Sequence, residues 1–190
     1  MSPCFETIKS INGALQHLVY HQARFDKTRL ELFGDTSKIP LGEILTPPLD
    51  ATYRVRVEYD AVIRKIEYIP YEERHFSRFM LHETALEYPY KYVNRDALNM
   101  PLPQDVDDVI FTHNGELKDT RIANIALLID GEWKTPAKPL LEGTTLCRLL
   151  GSGLLKAEVL DVKSLQNAQK FAIMNALIGF YVVENLLIKE

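Results

Sequence analysis

Strict alternation of apolar and charged positions marks the clearest element of the chain. In residues 53–59, Tyr-Arg-Val-Arg-Val-Glu-Tyr, tyrosines and valines alternate with arginines and a glutamate. A period of two residues is typical of a strand that buries one face. We therefore predict a strand here, followed by a turn and a second strand over residues 62–68 that Pro70 closes.

The N-terminal part combines a strand with a helix. Residues 4–11 run into an Asn-Gly pair, a frequent two-residue hairpin turn, which predicts a strand that ends there. Apolar side chains repeat every seven residues from Leu18 to Leu32. This spacing predicts a helix over residues 21–33, and Gly34 supplies its stop.

The remaining chain has the pattern of short strands separated by turn signals. Asn-Gly and Asp-Gly pairs each divide two apolar runs, so each predicts a hairpin. We also expect two short helices, the first stopped by a glycine and the second capped by Ser164. The predicted strands are residues 106–112, 116–118, 124–129, 132–135, 157–162, 171–175 and 180–188, the predicted helices are residues 144–150 and 164–170, and residues 35–50 are predicted loop.

Together these elements predict an α+β protein with two strand-rich halves and few helices. A length of 190 residues suits one large domain or two small ones. We place the boundary near Pro70. This gives a small N-terminal α+β domain, residues 1–70, and a larger strand-rich C-terminal domain, residues 71–190.

The composition is that of an ordinary globular chain. Hydrophobic residues make up 46% and charged residues 25% of the sequence, which argues against disorder. The net charge of −4 lacks the basic surplus of a nucleic-acid binder. No apolar run has the length of a membrane span, and the N-terminus does not resemble a signal peptide. Two distant cysteines, Cys4 and Cys147, predict a cytoplasmic chain with reduced thiols.

Metal and nucleotide chemistry have little support in the sequence. His17 and His21 are four residues apart and would share a helix face, but a zinc site needs three or four ligands and no third one stands at suitable spacing. We expect no metal. The sequence has no G-x-S-x-G, Walker A or G-x-G-x-x-G motif, so the usual hydrolase and nucleotide-binding loops are missing.

Three segments carry candidate chemistry, and each has an ordinary alternative. Lys91 lies between two tyrosines; a shielded lysine loses its charge more easily and becomes a nucleophile, but surface lysines also have such neighbours. Residues 119–124 contain an acid and an asparagine, which turn chemistry also explains. Residues 143–145, Gly-Thr-Thr, begin a predicted helix, where amides and hydroxyls suit a phosphate or a simple helix cap.

Seven short segments, including these three, occur in an order typical of one enzyme family. They are Phe5-Glu6-Thr7-Ile8, His21-Gln22-Ala23-Arg24, Lys91-Tyr92-Val93-Asn94-Arg95, Asp119 to Asn124, Trp133-Lys134-Thr135-Pro136, Gly143-Thr144-Thr145 and Met174-Asn175-Ala176-Leu177. Nearly end to end, the chain resembles the fold-type-IV pyridoxal-phosphate enzymes, the class-IV aminotransferase family. Its local motifs are most similar to those of aminodeoxychorismate lyase.

The resemblance implies a two-domain fold like that of D-amino-acid aminotransferase, with a shortened N-terminal domain and pyridoxal 5'-phosphate between the domains. It implies that Lys91 is the Schiff-base lysine and carries protons, and that Asp119 meets the pyridine nitrogen. Arg24 is expected to hold the phosphate bidentately. Further implied cofactor-binding residues are Asn94, Asn124, Gly143, Thr144 and Thr145, and implied substrate-binding residues are Arg95, Asn175 and Ala176.

The chain departs from the family pattern at three points. The acid at position 119 is aspartate where the family normally has glutamate, and the chain begins at the Phe-Glu-Thr-Ile strand, without the strands that usually precede it. Residues 174–176, Met-Asn-Ala, replace the T-[GS]-T of the aminotransferases.

The predicted function is 4-amino-4-deoxychorismate lyase, which eliminates pyruvate to give 4-aminobenzoate. An amino-acid aminotransferase of the branched-chain or D-amino-acid type is an alternative. So are a catalytically silent relative that binds the cofactor and a strand-rich binding module without one. The family resemblance also implies a homodimer with a small-molecule amino substrate, and we expect no nucleic-acid or membrane partner.

Overall fold

The computed structural model describes residues 2–189, which fold into two compact units. Unit 1 contains residues 2–73 and Tyr90–Arg95, and unit 2 contains Arg74–Pro89 and residues 96–189. The structure differs from the sequence-based boundary near Pro70 in one respect that bears on function. A single boundary there assigns Lys91 to the C-terminal domain, whereas its segment belongs to unit 1.

Unit 1 is an antiparallel sheet with one long helix. The strand order is β2-β1-β3-β4, so the two long central strands are β1 and β3, paired along their whole length. The elements of unit 1 are β1 (Cys4–Ile11), β2 (Ala14–Leu15), α1 (Leu18–Phe33), α2 (Leu41–Ile44), β3 (Thr52–Tyr59) and β4 (Ile63–Pro70).

The turn and helix signals of unit 1 act as the sequence predicts, with small shifts. Asn12 and Gly13 both take positive φ, 47° and 82°, as a two-residue hairpin requires. Helix α1 begins at Leu18, earlier than predicted, directly after the left-handed His17. It ends where predicted, because Gly34 adopts φ 67° and its N–H bonds the last helical carbonyls. The short helix α2 lies in the predicted loop.

The core of unit 1 lies between α1 and one face of the sheet. Alternate residues of the two central strands, among them Ile8 and Val57, pack with Phe25 of the helix. Phe25 also meets Tyr59 edge to face, with ring centroids 4.5 Å apart. This packing fixes which residues of β1 face the helix: those with the parity of Cys4, Glu6 and Ile8.

Unit 2 contains two sheets. One has the order β10-β9-β8-β11-β12 and the other β13-β5-β6-β7. The elements are β5 (Arg78–Glu83), β6 (Asp108–His113), β7 (Glu116–Thr120), β8 (Asn124–Ile129), β9 (Glu132–Pro136), α3 (Thr144–Gly151), β10 (Leu155–Glu158), α4 (Val162–Asn167), β11 (Lys170–Asn175), β12 (Gly179–Val183) and β13 (Leu187–Lys189).

Apolar side chains from both sheets form the main core of unit 2. Phe79 and Ile110 of one sheet join Ile125 and Phe171 of the other in a single cluster, and the rings of Phe79 and Phe171 meet edge to face at 5.3 Å. A second cluster, which includes Leu146, lies between α3 and the five-stranded sheet. Helix α3 is therefore anchored directly over β11.

Several predicted elements of unit 2 need correction. Strand β5 was not predicted, and the predicted strand over residues 180–188 is two strands, separated by a turn in which Asn185 has φ 53°. Strand β10 begins and ends earlier than predicted. The cap of α4 is Asp161, whose Oδ1 accepts the Ser164 N–H at 2.8 Å, while Ser164 returns a bond to the Asp161 backbone. No helix within residues 2–189 is both long and apolar enough to cross a membrane.

Arg29 is a buried cation that ties α1 to the loops beside it. Its side chain is 1% exposed. It donates to the carbonyl oxygens of Ser37 at 2.6 Å and Ala61 at 2.8 Å, and pairs with Asp35 at 3.1 Å. These bonds give the buried guanidinium hydrogen-bond acceptors, and the same bonds give the two carbonyl oxygens a donor.

We expect Arg29→Met to lower the free energy of unfolding by about 2–4 kcal/mol, because it leaves buried acceptors without their donor. Urea denaturation measures the change. Arg64→Met is the matched control, since Arg64 pairs with Asp60 at 2.7 Å but is exposed, and its loss is expected to stay below about 0.5 kcal/mol. Equal losses in the two variants would contradict the role of Arg29.

Candidate active site

The candidate residues form two groups, one in each unit. The first surrounds Phe5, at the start of β1. Phe5 N donates to the Lys91 carbonyl at 2.9 Å, and Val93 N donates to the Pro3 carbonyl at 2.8 Å. Cys4 and Tyr92 form an antiparallel bridge between these bonds. The lysine segment is thus added to the edge of β1, which explains why it belongs to unit 1.

Lys91 lies in a positively charged and partly desolvated setting. Its Nζ is 4.7 Å from the centre of the Phe5 ring, and the residue as a whole is half-buried. Burial, and then the charges of Arg24 and Arg95, lower the pKa of Lys91 from 10.5 to about 7, although Glu6 opposes the shift. A lysine with this pKa is partly neutral at neutral pH, which makes it a nucleophile toward carbonyl carbon.

Arg24 is held by a carboxylate of β1. Its Nε donates to Glu6 Oε1 at 2.8 Å and its Nη2 to Glu6 Oε2 at 2.7 Å. The bidentate hold of Arg24 on a phosphate stays a prediction, and in the structure its Nε–Nη2 edge is bound to Glu6.

Other members of the first group differ in how close they lie to Phe5. The guanidinium carbon of Arg56, on β3, is 3.9 Å from the ring centre. Arg95 is half-buried and Asn94 is exposed, both directly after Lys91. Arg56, Glu6 and His21 are not among the predicted site residues. Glu6 and His21 lie in two of the family-like segments, and the alternation of β3 places Arg56 on its charged face.

The second group lies in unit 2 and is centred on Asp119, a buried residue of β7. Its Oδ1 accepts the Asn124 side-chain amide at 2.8 Å, and its Oδ2 accepts the Leu141 N–H at 2.9 Å. Burial raises the pKa of Asp119 from 3.8 to about 7, although these bonds oppose the rise. The donors are uncharged, so they stabilise the carboxylate less than a cation would.

Asn124 joins Asp119 to the start of α3. Its amide also donates to the Leu141 carbonyl at 2.8 Å, and its Oδ1 lies 2.1 Å from where a Cβ of Gly143 would stand. Glycine is therefore required at the helix cap, because a side chain would displace the asparagine. Thr144 and Thr145 follow as buried residues of the first helical turn, so the structure brings these predicted residues together.

Asn175 uses its side chain to form a turn. Its Oδ1 accepts the N–H groups of Leu177 at 2.8 Å and Ile178 at 3.0 Å, and its Nδ2 donates to the Ile122 carbonyl at 3.2 Å. These bonds account for an asparagine at position 175, because its side chain stabilises the turn. A substrate role for Asn175 and Ala176 therefore depends on their backbone groups.

The histidines do not form a metal centre with the acids. His17 precedes α1 in a left-handed conformation, whereas His21 is buried and its Nδ1 lies 2.7 Å from Glu6 Oε2. Among residues 2–189 there is no group of three or more histidine, cysteine, aspartate or glutamate side chains that could hold a metal ion.

Comparison with known proteins identifies relatives over nearly the whole chain. The sequence profile of the amino-transferase class IV family matches residues 57–186. An uncharacterized protein of Haemophilus influenzae is 29% identical over 187 residues, which cover 94% of this chain and 100% of that protein. The family match extends across most of unit 2 and includes Lys91.

Two solved structures have the same fold. The crystal structure of a protein from Haemophilus somnus, provisionally assigned as a 4-amino-4-deoxychorismate lyase, is 26% identical with a TM-score of 0.85 and aligns over 94% of this chain and 98% of that one. The pyridoxal-phosphate-bound form of a hypothetical aminotransferase from Mycobacterium tuberculosis is 16% identical with a TM-score of 0.77, over 97% and 81% of the two chains. The predicted fold type IV is thus confirmed, in a short form shared with the Haemophilus somnus protein.

We expect Lys91→Met to stabilise the cofactor-free protein in a pH-dependent way. The pKa of Lys91 is about 7 in the folded protein, against an ordinary value of 10.5. Between these two pH values the unfolded chain therefore carries a proton on Lys91 more often than the folded protein does. The stability of the wild type consequently rises with pH over this range. The advantage of the variant should therefore be full below about pH 7 and shrink toward pH 10.5. Thermal unfolding at pH 6, 8 and 10 measures it; a gap that does not change with pH would contradict the assignment.

We expect Gly143→Ala to lower the free energy of unfolding by about 1–3 kcal/mol, because the new Cβ forces Asn124 away from Asp119. Gly151→Ala is the matched control in the same helix: a Cβ there meets nothing within 4 Å. Urea denaturation of both variants measures the difference. If both alanines were tolerated equally, the close approach of Asn124 to Gly143 would be wrong.

Proposed function

Because the chain belongs to the amino-transferase class IV family of pyridoxal-phosphate-dependent enzymes, we propose that it is a 4-amino-4-deoxychorismate lyase. It would eliminate pyruvate from its substrate and release 4-aminobenzoate. The observation that carries the proposal is the pairing of the Lys91 backbone with the start of β1, which places its Nζ 4.7 Å from the centre of the Phe5 ring, at the position that resembles the Schiff-base lysine of the family. The Haemophilus somnus relative and the K-x-x-N-R and N-A-L motifs favour the lyase within that family.

The residues present fit pyridoxal phosphate. The fit rests on three observations: a partly neutral amine at Lys91, the cationic Arg24 with one guanidinium edge turned to Glu6, and the buried carboxyl of Asp119. Lys91 would bind the aldehyde carbon, Arg24 the phosphate and Asp119 the pyridine nitrogen. The remaining proposed cofactor contacts are Asn94, Asn124, Gly143, Thr144 and Thr145.

When bound, the cofactor supplies an electron sink for negative charge at the substrate Cα. Lys91 would then act on protons: its neutral Nζ can accept the Cα proton and return it at a later atom. A low pKa suits both roles, since the amine exchanges protons readily near neutral pH. The arginines around Lys91 favour the neutral form and so keep the amine ready to accept a proton.

Asp119 would control the charge of the pyridine nitrogen. A carboxylate beside that nitrogen favours its protonated, positive form, which strengthens the electron sink. Both oxygens of Asp119 already accept a bond, from Asn124 and from Leu141. A carboxylate can accept further bonds, so these two donors orient the group without excluding a third partner.

Transamination is the alternative, and it shares the first proton abstraction with the lyase reaction. It would return the proton to the cofactor instead of releasing pyruvate. Membership of the amino-transferase class IV family supports transamination. The amino donor would then be a branched-chain or a D-amino acid. Arg95 and the backbone of Asn175 and Ala176 are the proposed contacts to a substrate carboxylate in both cases.

Direct assay decides between the reactions. Purified protein with pyridoxal phosphate is incubated with 4-amino-4-deoxychorismate, and pyruvate and 4-aminobenzoate are measured in equal amounts if the proposal holds. Parallel assays use branched-chain and D-amino acids with 2-oxoglutarate.

Borohydride reduction followed by peptide mass spectrometry should locate the cofactor on Lys91, with Lys91→Ala as the control. Cofactor bound at another lysine would refute the assignment of Lys91, and amino-acid turnover without pyruvate release would favour transamination.

We expect Asp119→Asn to retain the cofactor but to lower kcat by at least about a hundredfold, as loss of one electrostatic contact to developing charge typically does. Asp119→Glu should also lose activity, because one more methylene moves the carboxylate out of the position in which Asn124 and Leu141 hold both of its oxygens. Asp107→Asn, which removes an acid of the same unit that pairs with Arg78, is the control and should retain activity. Full activity in Asp119→Asn would overturn the assignment.

The family resemblance also suggests a homodimer in the cytoplasm. Light scattering coupled to size-exclusion chromatography measures the assembly. Cys4 is buried and Cys147 exposed, and neither forms a disulfide, in keeping with a reducing compartment.

A further inference from the structure

Glu6 is a fully buried carboxylate that the proposed chemistry does not use. It lies on β1 with 0% exposure, on the face that packs against α1. Its two oxygens accept three bonds of 2.7–2.8 Å, two from Arg24 and one from the His21 ring. His21 and Arg24 are one helical turn apart, so a single acid on the strand receives donors from two successive positions of the helix face.

The acid of this cluster is ionised. Burial alone would raise the pKa of Glu6, but the charge of Arg24 and the hydrogen bonds from His21 and Arg24 lower it to about 2. A carboxylate has no hydrogen to give, so the Nδ1 of His21 must be the donor in its contact with Glu6. The imidazole therefore holds Oε2 from one side while Arg24 holds the same oxygen from the other.

Two features indicate that this cluster orients Arg24 rather than only stabilising the fold. The carboxylate binds the Nε–Nη2 edge with both oxygens, a geometry that fixes the plane of the guanidinium as well as its position. Arg24 is more exposed than its partner, 14% against 0%. The fully buried Glu6 thus holds the more exposed Arg24 in place, and the guanidinium edge that Glu6 does not bind faces away from it.

We propose that Glu6 and His21 are positioning residues that hold Arg24 for the phosphate group of the cofactor without contacting the cofactor themselves. The proposal rests on the proposed function, since it takes pyridoxal phosphate as the ligand of Arg24. It predicts that loss of the cluster weakens a ligand that carries the phosphate more than one that lacks it.

The test compares two ligands that differ only in that phosphate. Binding of pyridoxal phosphate and of pyridoxal is measured spectroscopically for the wild type and for Glu6→Gln. Glutamine keeps the shape but removes the charge and one acceptor. The charge of Glu6 also acts on Lys91, so its loss affects both ligands through the amine. We therefore expect the dissociation constant for pyridoxal phosphate to rise at least about tenfold more than that for pyridoxal, as loss of a buried charge-assisted partner commonly causes.

A double-variant comparison separates positioning from a merely structural role. If Glu6 acts through Arg24, then Glu6→Gln added to Arg24→Ala should cause no further loss of pyridoxal-phosphate affinity beyond the loss of pyridoxal affinity. Asp107→Asn, which removes an acid that pairs with Arg78 at 2.7 Å in unit 2, is the matched control and should leave both affinities unchanged.

His21 provides an independent pair of variants. In His21→Asn the side-chain amide can replace the Nδ1 donor, whereas in His21→Leu no donor remains. The leucine variant should weaken pyridoxal phosphate more than the asparagine variant does, again with a smaller effect on pyridoxal. This pair decides the question if Glu6→Gln does not fold.

The outcomes are distinguishable from failure of the proposed function. If the wild type binds neither ligand, the cofactor assignment itself is wrong. If the wild type binds pyridoxal phosphate and the Glu6 and His21 variants weaken both ligands equally, or neither, then the positioning role is overturned while the cofactor assignment stands. Selective loss of pyridoxal-phosphate affinity supports the proposal.

Discussion

The surroundings of Lys91 depend on a short stretch of backbone pairing between residues 91–93 and the start of β1. The bonds from Phe5 N to the Lys91 carbonyl and from Val93 N to the Pro3 carbonyl attach a distant segment to the first strand. They join Tyr90–Arg95 to unit 1, although the residues on either side of this segment belong to unit 2. With them Lys91 lies next to Phe5, where burial and the arginines of unit 1 can act on its ammonium group.

The sequence predicts the local parts of this arrangement well. Alternation in β3, the Asn-Gly turn after β1 and the glycine after α1 all have short-range physical causes, namely pleat period and positive φ. Strand β5 was missed because its parallel pairing with β6 and β13 depends on residues far apart in sequence. The order of family motifs identified Lys91 and Asp119, but not the bonds that surround them.

The cluster around Glu6 shows why those bonds escape sequence reasoning. A glutamate within an apolar strand and a histidine at the start of a helix each have an ordinary explanation by themselves. Only the packing of α1 on β1 brings His21 and Arg24 to the same carboxylate. Burial then makes the three groups depend on one another, because an unpaired charge in this position would be costly.

Two buried carboxyl groups, one in each unit, are tuned in opposite directions by the partners they have. Glu6 receives a cation and an imidazole, so its pKa falls to about 2 and it is a permanent anion. Asp119 receives an amide side chain, backbone N–H groups and, last among the causes, the charge of Lys118; together these do not offset burial, so its pKa rises to about 7. Its carboxylate form is thus the less stable one until a positive partner arrives. Under the proposed function, a protonated pyridine nitrogen would favour the carboxylate form of Asp119, so cofactor binding and ionisation of this buried acid would support each other.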